Sequence, residues 1–176
     1  MIVVTASTPS ATQPPAFATA SRNHYRAAVL AAKENLRISA DHLAGLAAEC
    51  GIKAILADFL GSQLNTRNRL VNDEVATWVK KKGAPGVREW RPQEHGHLPE
   101  LWEHLTAVAH RRRGGGAGAL FTQLIWKNPF AGWNVAGRYC DGTAITDAEV
   151  DRHLKAAYDL IAAHEQAGIL GTRTHA

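Results

Sequence analysis

Two arginine–histidine pairs stand close together in the chain: Arg37 with His42, and Arg88 with His95. A histidine can take a proton from a ribose 2′-hydroxyl, or return one to a leaving oxygen. An arginine can balance the charge that builds on a phosphorus centre. Such a pair suits metal-independent cleavage of RNA. On a continuous helix, a separation of five places Arg37 and His42 about 140° apart. A break near Ser39 would change that angle.

Other groupings admit more than one chemistry. Glu49 and Lys53 are four apart with Glu first, the favourable order for a helical ion pair. That structural role is expected ahead of an acid–base one. His95-Gly96-His97 offers two imidazoles, but no Cys, Asp or Glu completes a recognised ligand spacing, so neither a metal nor a cofactor is expected. Gly114-Gly115-Gly116-Ala117-Gly118 could cradle a phosphate on free N–H groups at a helix start. No Gly-Lys-Ser/Thr follows, so the run reads as a flexible connection. Gly-x-Ser-x-Gly is absent, which leaves a serine hydrolase without support.

Charge sharpens the nucleic-acid reading. Lys and Arg number 20 against 16 Asp and Glu, for a net charge of +4. The excess gathers in the middle third: Lys80-Lys81-Lys82, Arg88 with Arg91, and Arg111-Arg112-Arg113. These clusters read either as a solvated surface or as a footprint for RNA phosphates. Cys50 and Cys140 are far apart and belong to no C-x-x-C pair. Cys50 falls in an apolar run and is expected in the core. Nothing calls for an oxidising compartment. Met1-Ile2-Val3-Val4 lacks a positive n-region and a long apolar stretch, so no signal peptide and a cytoplasmic location are expected.

These side chains need elements to position them. With 176 residues, 45% of them hydrophobic and 20% charged, one globular domain is expected. No apolar stretch approaches the roughly 18 residues a membrane span needs. Residues 1–20 read as a flexible tail, since Pro14-Pro15 opposes a helix. Ser21 reads as an N-cap, with helical spacing over 22–36. Residues 39–60 are apolar on two faces, which suits the centre of a bundle. A shorter helix is predicted over 72–82, from the spacing of Val75, Trp78 and Val79, and a loop over 83–96. Helical spacing resumes over 97–110, breaks at 111–118 and returns over 119–126. Thr146 and Glu149 form a capping-box pattern before a last helix that Gly168 would stop. The expected fold is all-α, with five or six helices and Leu46 and Leu101 buried. The domain would cover 21–168, with a flexible tail at 169–176.

Three segments in this order carry a family resemblance. Ala47-Ala48-Glu49-Cys50-Gly51-Ile52-Lys53-Ala54 resembles the Ala-Ala-Glu-x-x-x-Lys-Ala helix of HEPN-fold proteins. His97-Leu98-Pro99-Glu100-Leu101 is similar to their His-x-Leu-x-x-Leu helix start. Arg138-Tyr139, followed by the capped helix, resembles their Arg-Tyr turn and last helix. The match spans roughly residues 22–167. The resemblance implies a HEPN-like helical bundle that forms a homodimer. It also implies one of two roles. One is that of an RNA-directed ribonuclease of toxin–antitoxin or phage-defence type. The other is that of a non-catalytic module that partners a nucleotidyltransferase or an antitoxin. Ribonuclease members carry Arg, four to six residues, then His, near the start of the last helix, and two such motifs meet across the dimer. Here Arg138 is followed by His only at His153, with fourteen residues between, while Arg37/His42 and Arg88/His95 keep the spacing elsewhere. Arg138 alone joins a family-matched position to a side chain suited to phosphate.

Overall fold

The computed structural model describes residues 14–80, 83, 86–112 and 116–170, apart from the side chains of 78–80 and 116–119. Two helices open the fold, α1 (Phe17–Lys33) and α2 (Arg37–Phe59). Strands β1 (Gln63–Leu64), β2 (Leu70–Lys80) and β3 (Arg88–Glu94) follow. Then come α3 (Glu100–Arg111), α4 (Gly116–Leu124), a 3-10 helix (Val135–Tyr139) and α5 (Asp147–Ile169). The first helix begins at Phe17, four residues ahead of the Ser21 expected as its cap.

The all-α expectation is overturned. The strands form an antiparallel sheet in the order β1-β2-β3. The segment predicted as a helix over 72–82 is β2, and the predicted loop over 83–96 contains β3. Val75, Trp78 and Val79 mimic a helical stripe, but Val71, Val75, Thr77 and Val79 are β-branched residues on alternate positions. Gly83 and Gly86 adopt φ of 81° and 80°, which lets the chain reverse between the strands. Pro92 lacks an N–H for the ladder, and residues 73–76 of β2 lie opposite it alone. Most of β3 is exposed, so the hairpin adds little to the core.

The core is helical. Ile52, Ile55, Leu56 and Phe59 of α2 meet Leu101, Leu105 and Val108 of α3, Phe121 of α4 and Leu160 of α5. The central helix has buried residues all round, so α1, α3 and α5 can each pack on it. Leu101 is fully buried, whereas Leu46 and Cys50 are only half-buried. The capping box forms in full: the Glu149 N–H donates to Thr146 Oγ1, and the Thr146 N–H donates to the Glu149 carboxylate. Among the described residues, no helix is long and apolar enough to cross a membrane.

Gly45 sets how closely α2 receives Trp133. A Cβ at this position would lie 2.2 Å from the indole ring, which is itself buried. Alanine would gain roughly 1 kcal/mol in helix propensity. Overpacking a rigid aromatic costs about 1–3 kcal/mol. Gly45→Ala is therefore expected to lower stability in urea unfolding. An unchanged midpoint would mean that the ring can move aside.

Candidate functional site

Helix α2 carries two of the predicted site residues, Arg37 and His42, and the Glu49–Lys53 pair, so its two ends define two polar clusters. At the C-terminal end, Lys53 Nζ lies 2.7 Å from Glu49 Oε1. His97 Nδ1 approaches the same carboxylate at 2.9 and 3.1 Å. Glu49 is buried, while the His97 side chain is 70% exposed. Two cations therefore face one buried carboxylate when His97 is protonated. Through these contacts Glu49 ties α2 to the segment that leads into α3.

His95 belongs to a separate chain of hydrogen bonds. Its Nδ1 lies 3.2 Å from His104 Nδ1, and its Nε2 lies 3.0 Å from Ser62 Oγ. Asn72 donates to Ser62 Oγ at 2.9 Å and to the Leu60 carbonyl at 3.1 Å. One consistent assignment has Ser62 donating to His95, and His95 donating to His104. Burial, then His104 and Lys53, push His95 down to about 4 from 6.5. Protonation therefore favours the unfolded chain. The stabilisation is present above pH 6.5 and is lost as pH falls towards 4. The difference corresponds to on the order of 3 kcal/mol. Urea unfolding at pH 7.5 and at pH 4.5 is expected to show this loss, with a shallower pH slope in His95→Gln. Equal slopes would contradict it.

Arg88 and His95 do not meet. They lie at opposite ends of β3, roughly 20 Å apart along the strand. Arg88 is exposed opposite Lys80, whereas His95 is buried. Arg37 and His42 also diverge. Arg37 forms a fork on Asp147, with Nε–Oδ1 2.5 Å and Nη2–Oδ2 2.9 Å, and so pins the start of α5 to α2. With α2 continuous from Arg37, no break at Ser39 turns the two side chains together.

His42 and Arg138 stand on two elements that pack together, α2 and the 3-10 helix. The His42 ring stacks on Trp133, with centroids 6.1 Å apart and planes at 14°. Its Nδ1 is enclosed and has no hydrogen-bond partner among the described residues. Arg138, on the 3-10 helix, holds its guanidinium 4.7 Å above the Tyr139 ring and donates to the Tyr139 hydroxyl at 2.7 Å. Burial first, then the Arg138 charge, hold His42 below the usual imidazole value; Asp41 opposes this and His24 adds to it. A half-exposed imidazole kept neutral beside an exposed arginine can accept a proton near an anionic substrate.

The basic clusters are less open than their sequence suggests. Arg111 donates to the Glu74 carbonyl and lies 3.6 Å from the Glu74 carboxylate. Arg112 packs its guanidinium over Gly61, whose φ of 69° and missing Cβ leave room for it. Arg91 pairs with Glu89. Lys80 ends β2 opposite Arg88. Lys81, Lys82 and Arg113 lie outside the described residues, as do Gly114 and Gly115 of the glycine run. Gly116 and Gly118 belong to α4. Among the described residues, no group of three His, Cys, Asp or Glu is placed to hold a metal.

Sequence reasoning missed the support beneath the His42–Arg138 pair. His153 Nδ1 meets Asp41 Oδ1 at 2.5 Å, and its Nε2 meets the Pro129 carbonyl at 3.0 Å. Phe130 stacks on this ring at 4.6 Å, and Trp133 Nε1 donates to the Asp41 carbonyl at 3.3 Å. The available signal was position: His153 follows Val150 by three and precedes Ala157 by four, on an apolar stripe. In comparisons with known proteins, no family model, curated protein or solved structure matches the chain.

Proposed function

We propose that this is a HEPN-like, RNA-associated protein, and that His42 and Arg138 cleave RNA without a metal. The carrying observation is that α2, which bears the half-buried His42, packs against the 3-10 helix that bears Arg138, whose charge helps to hold the His42 pKa down, although the Arg-x4–6-His spacing fails at Arg138. His42 takes the proton of a ribose 2′-hydroxyl, and the oxygen attacks the adjacent phosphorus. Arg138 balances the charge on the phosphorane. The 5′-oxygen leaves with the proton that His42 collected, so the step conserves protons and yields a 2′,3′-cyclic phosphate. The family resemblance adds a homodimer and a defence or toxin–antitoxin setting.

The pH profile in EDTA tests this assignment. His42 serves as the base only when neutral, so the rate rises with pH through its pKa and then levels. Its acid limb is expected below pH 6.5, the ordinary imidazole value. Arg138→Ala is expected to slow cleavage and to move that limb back towards 6.5, because a cation that opposes protonation is gone. A limb that stays in place would exclude Arg138 from the site. A second reading is a non-catalytic module that binds a nucleotidyltransferase or an antitoxin. One observation favours it: the Arg138 guanidinium is already engaged by its neighbour Tyr139. Absence of cleavage by the wild type would select it.

A further inference from the structure

A groove of about 610 Å³ runs between the end of α4, the segment before the 3-10 helix, and α5. That size is typical of small-molecule sites. Lys127, Arg152, Lys155 and Asp159 line it, with Trp102 and Leu124 as apolar wall. Lys155 is held by Asp159 at 2.6 Å. Arg152 pairs with Glu149 at 3.9 Å. Lys127 has no ion pair among the described residues. Three cations against one carboxylate thus give the groove a positive lining.

The apolar wall is part of the core: Trp102 is 3% exposed, so only a small part of its side chain reaches the groove. Trp126, the residue before Lys127, is 93% exposed and adds a second indole nearby in the chain. The rim is fixed before any ligand arrives. The Pro129 carbonyl accepts from His153, and the Phe130 N–H donates to Asn128 Oδ1 at 2.9 Å.

We propose that this groove binds an organic oxyanion, a carboxylate or phosphate monoester carried on a flat apolar body. The oxyanion sits between Lys127 and Arg152, and the body lies against Trp102 and Leu124. This goes beyond the RNA reading and does not depend on it. The test is a titration of isotope-labelled full chain, followed at the Trp102 indole N–H resonance. The probes are phenyl phosphate, benzoate, inorganic phosphate and benzylamine. At least one aromatic anion is expected to move that resonance and to saturate. Inorganic phosphate should bind about tenfold more weakly for want of the apolar contact, and benzylamine should not bind. Arg152→Glu and Lys127→Glu should each weaken binding about tenfold or more at unchanged melting temperature. Preference for phenyl phosphate identifies a phosphate ligand; preference for benzoate identifies a carboxylate. The proposal is overturned if neither anion saturates by about 10 mM, ten times a millimolar Kd. It is also overturned if benzylamine binds as well, or if both charge reversals leave binding unchanged.

Discussion

His153→Ala is expected to lower stability by about 3–5 kcal/mol. The variant leaves the buried Asp41 carboxylate without its 2.5 Å partner and the Pro129 carbonyl without a donor. It also opens a space beside Phe130, which stacks on the missing ring. Both nitrogens of His153 face acceptors, so both bonds are made only by the doubly protonated ring. For a chain of this length the loss corresponds to a melting point roughly 10 °C lower. Arg37→Ala is the contrast. Its fork on Asp147 has similar distances but lies in solvent, where such a pair contributes less than about 1 kcal/mol. Similar losses from the two variants would contradict this account of the buried pair.

His42→Gln is expected to reduce RNA cleavage about 10²–10⁴-fold, the usual contribution of a positioned general base. Glutamine keeps a polar side chain of similar reach against Trp133 but cannot accept the proton. Among the described residues His42 Nδ1 has no hydrogen-bond partner to lose, so the melting temperature should change little. The split matters because a structural histidine would show the reverse. His95→Gln supplies that reverse case: stability and its pH slope should change, while cleavage does not depend on a side chain buried behind Ser62 and His104.

The helical scaffold was legible because its signals are local. The Thr146–Glu149 box and the two-faced apolar run of α2 each specify an element within a few residues. The sheet was not legible because β2 satisfies two periods at once. Val75, Trp78 and Val79 fit a helix turn, and only the pairing with β3 decides for a strand. The site was harder still. His42 and Arg138 are 96 positions apart, and Asp41 and His153 are 112 apart, so no spacing within the chain announces either pair. Local spacing instead favoured Arg37 with His42 and Arg88 with His95. A continuous helix separates the first pair, and the length of a strand separates the second.

The most direct measurement incubates homogeneous protein with 5′-labelled RNA in EDTA and reads the chemistry of the product ends. The account predicts cleavage by the wild type to 2′,3′-cyclic phosphate and 5′-hydroxyl ends, with His42→Gln slower by about 10²–10⁴-fold and Arg138→Ala measurably slower, both at unchanged melting temperature. Intact RNA in the wild-type reaction, or cleavage at the wild-type rate in both variants, would contradict it.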